Sequence, residues 1–407
     1  MVGFHKQTIK DVPLEGTIVL VRADYNVPLK NGVISDDLRI RASIPTLQYL
    51  LDQKCTVVVI SHLGRPKGKD STYSLEPVAK HLETLLQEKV TFVPETIGDK
   101  VVQACKKATP GTVTVLENLR FYPEEEANDT TFAQKIAEAT KARYFVQDGF
   151  GVVHRAHAST AAIAHCIPSV AGLLLEKEYV TITGAVGAPK RPFVAVMGGA
   201  KVSDKIGVIE RFVEVADCIV IGGAMANTFL AYKGHPMGAS KFEADQNEVL
   251  NAIYTAAQKK VGDKLDEFIV LPTDVAVADA MSETAPRRTV SVRSVGEKDI
   301  ALDIGDDSIE QAVKAVQGAG TVVWNGTMGY AEFPNFAHGS ARMALALASQ
   351  PDTQSIIGGG DTADFVLKWD GQDGASFTHV STGGGASLEL MSGLKLPGIE
   401  SLLDARK

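Results

Sequence analysis

Short apolar runs rich in Val and Ile alternate with longer amphipathic segments along this sequence, and that rhythm constrains the fold more than any other feature. Runs such as 17–21, 56–60, 193–197 and 321–324 suit buried strands. The segments between them suit crossover helices, so the chain reads as α/β, built of βαβ units with largely parallel sheets. One helix is predicted over 74–86, with Ser74 as cap, Pro77 in the first turn, and Leu75, Val78, Ala79, Leu82, Leu85 and Leu86 on one face. Another is predicted over 203–217, with Ile206, Ile209, Val213 and Ala216 on its inner stripe. A length of 407 residues allows two domains, each with its own core. The boundary is expected within 166–192, where a connecting helix stopped by Gly187 leads into the Pro-flanked basic stretch APKRP.

The two halves differ in how their runs end. Before residue 170 they end in arginine and histidine: TIVLVRADYN (17–26), TVVVISHLGR (56–65), TVTVLENLRF (112–121) and YFVQDGFGVVHR (144–155). After residue 190 they end in glycine: FVAVMGGAK (193–201), CIVIGGAMAN (218–227), TVVWNG (321–326), SIIGGGDT (355–362) and THVSTGGGAS (378–387). Guanidinium forks and glycine-lined backbone N–H groups are two ways of holding anions, so the pattern points to two anionic small molecules. In open parallel sheets ligands bind beyond the carboxyl ends of the strands. Arg22, Asp24, Asn26, His62, Arg65, Arg120, His154 and Arg155 fall at or just after such ends, and Arg39 and Arg41 follow at the expected start of a helix.

Composition narrows the partners. The net charge is −8 with no basic run, which argues against nucleic acid and against an anionic membrane surface. No stretch reaches the length of a membrane span and the N-terminus lacks a signal-peptide core, so a cytoplasmic location is expected. Cys55, Cys105, Cys166 and Cys218 have no CxxC spacing and read as buried, reduced thiols. His154 and His157 form an HxxH pair, but no third ligand accompanies them at metal spacing.

In the second half, GGAKVSDK (198–205) sets a Gly-rich turn before a helix, with Lys201 and Lys205 near its N-terminus, a ready phosphate site. It is not a GxxxxGK[ST] loop, which the chain lacks. IIGGGDTADF (356–365) repeats the logic with an acid, Asp361, suited to Mg²⁺ beside phosphates. Several such turns at successive run ends favour a nucleoside di- or triphosphate.

RADYNVP (22–28), SHLGRP (61–66), ENLRF (117–121), DGFGVVHRAHAS (148–159), GGAKVSDK, WNGTMGYAEF (324–333), GGGDT (358–362) and VSTGGGASLELM (380–391) follow one another in this order. With them the chain resembles the phosphoglycerate kinase family along essentially its whole length. The resemblance implies two Rossmann-like three-layer lobes joined by a helical hinge. It places a phosphoglycerate-binding lobe at 1–172, the linker helix and hinge at 173–189, and a nucleotide-binding lobe at 190–392. The segment 393–407 would pack back on the first lobe. The implied reaction is reversible phosphoryl transfer from 1,3-bisphosphoglycerate to ADP, giving 3-phosphoglycerate and ATP, by a monomer that bends at its hinge and uses Mg²⁺. Motif by motif, Asp24, Asn26, Arg39, His62, Leu63, Gly64, Arg65, Arg120 and Arg155 would bind the phosphoglycerate. Lys201, Lys205, Leu302, Asn325, Glu332, Gly358, Gly359, Gly360, Asp361 and Thr362 would bind the nucleotide, with Asp361 on the metal. Gly383, Gly384 and Gly385 would donate backbone N–H groups in the transition state, and Arg39 and Lys201 would be catalytic. The chain departs from the family's usual residues at Gly149, Ala301, Thr327 and Ala331, and the last three bear on the purine pocket.

Charge dictates the expected mechanism. A carboxylate acceptor has a pKa of roughly 4 and needs no base. The obstacle is repulsion, roughly 4 kcal/mol for two like unit charges at 4 Å and an effective dielectric of 20. Catalysis then rests on positioning and neutralising the phosphoryl group. Two alternatives stand beside this reading: a kinase for another carboxylate such as acetate or aspartate, which needs fewer guanidinium forks, and a non-catalytic protein that keeps the fold.

Overall fold

The computed structural model describes residues 3–406, and its contacts divide into two compact units. One comprises Gly3–Val180 with the C-terminal stretch from Lys395; the other is Thr181–Leu394. The division falls inside a helix, Leu173–Gly187. Met1, Val2 and Lys407, which the expected bounds include, lie outside the described residues.

In the first unit, β1 (Ile18–Arg22), β2 (Thr56–Ile60), β3 (Val90–Val93), β4 (Val113–Leu116), β5 (Tyr144–Gln147) and β6 (Ser169–Ala171) form one parallel sheet in the order β3-β4-β2-β1-β5-β6. Its strands read as continuous apolar runs because both faces are covered. Val19, Val21, Val57 and Val59 pack on one side with Ile40, Leu47 and Val78, while Leu20, Val58 and Ile60 pack on the other with Val101, Phe132 and Ile136. That is a three-layer sandwich. The order reverses beside β1, which places a crevice at the carboxyl ends of β1, β2, β4 and β5. The C-terminal stretch adds to this unit: Leu403 N–H donates to Ser169 O, Gly398 N–H donates to Val153 O, and Lys6 Nζ donates to the carbonyls of Glu400 and Leu402.

In the second unit, β7 (Phe193–Met197), β8 (Cys218–Ile221), β9 (Ile269–Val270), β13 (Thr321–Asn325), β14 (Gln354–Gly358) and β15 (His379–Val380) form another parallel sheet, in the order β9-β8-β7-β13-β14-β15. A three-stranded antiparallel sheet of β10 (Asp274–Ala278), β11 (Arg288–Ser291) and β12 (Ile300–Ile304) accompanies it. The sequence rhythm did not separate this sheet from its parallel neighbours, because the run 275–278 is as apolar as theirs.

Two helices differ from expectation. The first spans Glu76–Leu86, with Ser74 outside it accepting from Glu76 N–H, and Leu85 only half-buried. The second spans Ile206–Val215, starting three residues later than predicted because 200–205 is held as a turn, and ending two residues earlier. Its buried stripe is Val208, Ile209, Phe212 and Val213, and Ala216 is buried just past its end.

Candidate active site

The arginine-ended strands of the first unit converge. Arg39 donates to Asp24 and, at 3.1 Å, to the carbonyl of Asn26. The Asn26 Oδ1 accepts from Gly64 N–H at 2.8 Å, and Arg120 donates to Gly64 O at 2.7 Å. Loops after β1, β2 and β4 are thereby tied edge to edge. Gly64 is required: its φ is +61°, and a Cβ there would lie 2.3 Å from the ring of Tyr73. Leu63 packs its side chain into the core, and its backbone is held by Asn118, which accepts from Leu63 N–H and donates to Leu63 O. Arg65 is exposed and adds to the positive field at Arg120, as does Arg155.

His62 shows how concentrated that field is. The imidazole is buried, and its pKa is pushed well below the ordinary histidine value by burial and by Arg22, Arg120, Arg39 and Arg155. It is therefore neutral at pH 7. Arg22 has only donors, so the contact of its Nη2 with His62 Nδ1 at 3.2 Å makes Nδ1 the acceptor and leaves the proton on Nε2. The ring is a hydrogen-bond donor, suited to an anion and not to general-base work.

A buried network fixes this arrangement, and the sequence did not disclose it. Arg22 is inaccessible to solvent at 1 % exposure, so it positions its neighbours instead of meeting a ligand at the surface. Its Nε donates to Ser159 Oγ at 2.8 Å, and that hydroxyl in turn donates to Glu125 Oε1. Glu125 also accepts from Ser159 N–H at 3.0 Å. Glu125 stands in a run of three glutamates, 124–126, with nothing in the sequence to set it apart.

The glycine-ended strands of the second unit divide into two kinds. Gly198, Gly199, Gly222 and Gly223 spend their N–H groups on Asn325 O, Thr327 O, Met197 O and Met328 O. Their purpose is close approach: a Cβ on Gly198 would lie 2.2 Å from Thr327 O, and one on Gly223 2.6 Å from Gly199 N. The expectation that these glycines offer amides to an anion is corrected accordingly, since parallel strand ends knit together here backbone to backbone. At Gly359, Gly360 and Asp361, which open the helix Gly360–Asp370, the N–H groups find no acceptor among the described residues. The same holds for Gly384 and Gly385, whereas Gly383 N–H donates to Ser381 Oγ at 3.1 Å.

Around the open amides stand the predicted polar groups. Asn325 is 1 % exposed, yet neither its Nδ2 nor its Oδ1 has a partner, and it lies against Gly358 and Gly359. An orphaned buried amide of this kind is costly unless a ligand completes it. Thr362 accepts from Gly326 N–H at 2.7 Å. Lys205 donates to Gly198 O at 2.8 Å and Asn325 O at 3.2 Å, and burial lowers its pKa to about 8 against the opposing pull of Asp361 and Asp204. Lys201 is exposed. Beside them opens a cavity of about 510 Å³, lined by Gly199, Ala200, Lys241, Met281, Ala301, Leu302, Thr327, Tyr330, Glu332 and Asp361, among others. Ala301 and Thr327 face that cavity, and Ala331 does not line it.

His154 Nε2 accepts from Arg155 Nε, and burial lowers the pKa of His157 to about 4 with Arg22 and Arg120 nearby. Among the described residues no group of three or more His, Cys, Asp or Glu is placed to hold an ion, and no helix is long and apolar enough to cross a membrane. All four cysteines are free; Cys55 and Cys105 are buried, Cys166 and Cys218 half-buried.

The family model for phosphoglycerate kinase matches residues 9–394. The chain belongs to the phosphoglycerate kinase family. Membership makes it a kinase, a transferase of glycolysis. It is 47 % identical over 401 residues to the phosphoglycerate kinase of Moorella thermoacetica, covering 98 % of this chain and 99 % of that one. It is 46 % identical over 404 residues to that of Roseiflexus castenholzii, covering 98 % and 100 %. The structure of phosphoglycerate kinase from Coxiella burnetii matches with a TM-score of 0.84 at 35 % identity, over 97 % of this chain and 98 % of that one. The enzyme from Pyrococcus horikoshii OT3 matches with 0.81 at 30 % identity and the same coverage. Both carry the two-lobe architecture with largely parallel sheets.

Proposed function

We propose that the chain transfers a phosphoryl group reversibly from 1,3-bisphosphoglycerate to ADP, with the acid bound on the first unit and the nucleotide on the second. The observation that carries this is the gathering of Arg39, Arg120 and Arg155, with the buried Arg22 behind them, around one neutral imidazole, His62. A simple monocarboxylate needs one or two such forks; a phosphorylated acid uses several. Asp24, Asn26, Arg39, His62, Arg65, Arg120 and Arg155 bind it, with Leu63 and Gly64 shaping the loop.

On the second unit, the base enters the cavity past Leu302 and Glu332, and the phosphates meet Lys201, Lys205, Asn325 and the amides of 359–361. A single exposed carboxylate at a helix start, Asp361, fits Mg²⁺, which takes one or two protein carboxylates with phosphate oxygens and would neutralise phosphate charge there. The acyl carboxylate leaves as an anion that needs no proton, which agrees with His62 serving as donor. Arg39 and Lys201 supply positive charge to the phosphoryl group in transit, and Gly384 and Gly385 supply N–H groups. Hinge bending on binding both substrates, a monomeric state and a cytoplasmic location belong to the same proposal. A coupled assay for ATP formation from 1,3-bisphosphoglycerate and ADP tests it. Turnover is expected there and not with acetyl phosphate or aspartyl phosphate, and no ATP from the bisphosphoglycerate would overturn it.

A further inference from the structure

We propose that Glu243 is a positioning residue for the nucleotide's phosphates, acting through the backbone of Val202 and Ser203; this rests on the nucleotide reading of the second unit. The turn 200–205 carries Lys201 at one end and Lys205 at the other. Its ends are pinned, by Gly199 N–H donating to Thr327 O and by Lys205 Nζ donating to Gly198 O. Its middle is pinned by Glu243. One carboxylate oxygen accepts from Val202 N–H at 2.6 Å and Ser203 N–H at 3.2 Å, and the other accepts from the Ser203 hydroxyl. Charge-assisted bonds of this kind are the strong ones, and three on one carboxylate leave the turn little freedom.

The clamp is not a helix cap. A cap takes the first-turn amides of the helix it serves, and the helix after this turn begins only at Ile206. Glu243 is itself anchored: its N–H donates to Thr228 Oγ1 at 3.1 Å, and Asn227 Nδ2 donates to Lys241 O at 3.1 Å. Asn227 and Thr228 are buried on the helix Gly223–Tyr232. Lys241, two residues from Glu243, lines the cavity assigned to the base. The segment 241–243 therefore shapes the base cavity with one residue and holds the phosphate turn with another. Loss of the carboxylate frees Lys201 from its place without touching any nucleotide contact.

The test is calorimetric titration of the full chain with Mg-ADP and, separately, with 3-phosphoglycerate, on wild type, Glu243→Ala, Glu243→Gln and Ser203→Ala. ADP binding needs no turnover, so the result stands apart from the ATP-formation assay above. Glu243→Ala is expected to weaken ADP about tenfold and to leave 3-phosphoglycerate within about twofold. Glutamine keeps an acceptor for the amides and a donor for the Ser203 oxygen, so Glu243→Gln recovers to within about threefold of wild type. ADP affinity within about twofold of wild type in Glu243→Ala, or equal weakening of both ligands, overturns the proposal. Should circular dichroism show Glu243→Ala unfolded, Ser203→Ala decides: about threefold weaker ADP supports the clamp, and unchanged ADP sinks it.

Discussion

Lys205 offers a prediction in which function and stability move in opposite directions. Burial lowers the pKa of its ammonium from 10.5 to about 8. Carrying that charge at neutral pH costs the folded state about 3 kcal/mol, from 1.36 kcal/mol per pKa unit. The sign follows from proton counts: between pH 8 and 10.5 the unfolded chain holds the proton that the folded chain has lost, so stability rises with pH across that window. Lys205→Met removes the titration. Urea unfolding of both proteins at pH 7.5 and 9.5 is expected to show the wild-type advantage growing by about 2 kcal/mol on going to the higher pH. The same charge serves the phosphates, so ADP binding to wild type should fall up to about tenfold per unit above pH 8, and Lys205→Met should bind ADP weakly throughout. A stability difference between the two proteins that is constant with pH would refute the reasoning.

Other expectations follow from the same geometry. Arg39→Ala and Lys201→Ala each lower kcat at least about a hundredfold, roughly 3 kcal/mol, with unchanged circular dichroism; near-normal turnover in either removes it from the catalytic set. Gly64→Ala forces a left-handed residue against Tyr73, costing roughly 1–2 kcal/mol before any steric clash, and raises the KM for phosphoglycerate while leaving ADP titrations unchanged. Asp148 is buried with its pKa raised to about 7, so its charge disfavours the folded state increasingly as pH rises from 3.8 to 7. Asp148→Asn, which keeps the acceptor for Leu174 N–H, should therefore gain up to a few kcal/mol on wild type between pH 5 and 8 in urea titrations.

How far the sequence discloses this protein depends on whether a residue acts at its own strand end or through a distant partner. His62, Arg65, Arg120 and Arg155 could be read directly, because a parallel sheet puts the ends of apolar runs at its binding edge, and Arg39 by its place at the start of the helix Leu38–Asp52. Glu125 and Glu243 could not, since each acts across more than thirty positions, on Ser159 and on Val202, and each looks like any surface glutamate. The glycines show a subtler limit. GGAK and GGGD have the same composition signal, yet Gly199 spends its N–H on Thr327 and Gly359 keeps its own free, a distinction set only by which strand lies alongside. The helix 206–215 began later than its apolar period suggested for a related reason: a tertiary clamp on the turn outweighed local propensity.

In this proposal the two units hold different anions by different chemistry, guanidinium forks on one and open amides with an orphaned Asn325 on the other. Paired calorimetric titrations of Arg120→Ala and Asn325→Ala with 3-phosphoglycerate and Mg-ADP test it most directly. Reciprocal losses are expected: Arg120→Ala loses phosphoglycerate binding and keeps ADP, and Asn325→Ala does the reverse. Comparable weakening of both ligands in either folded variant would contradict it.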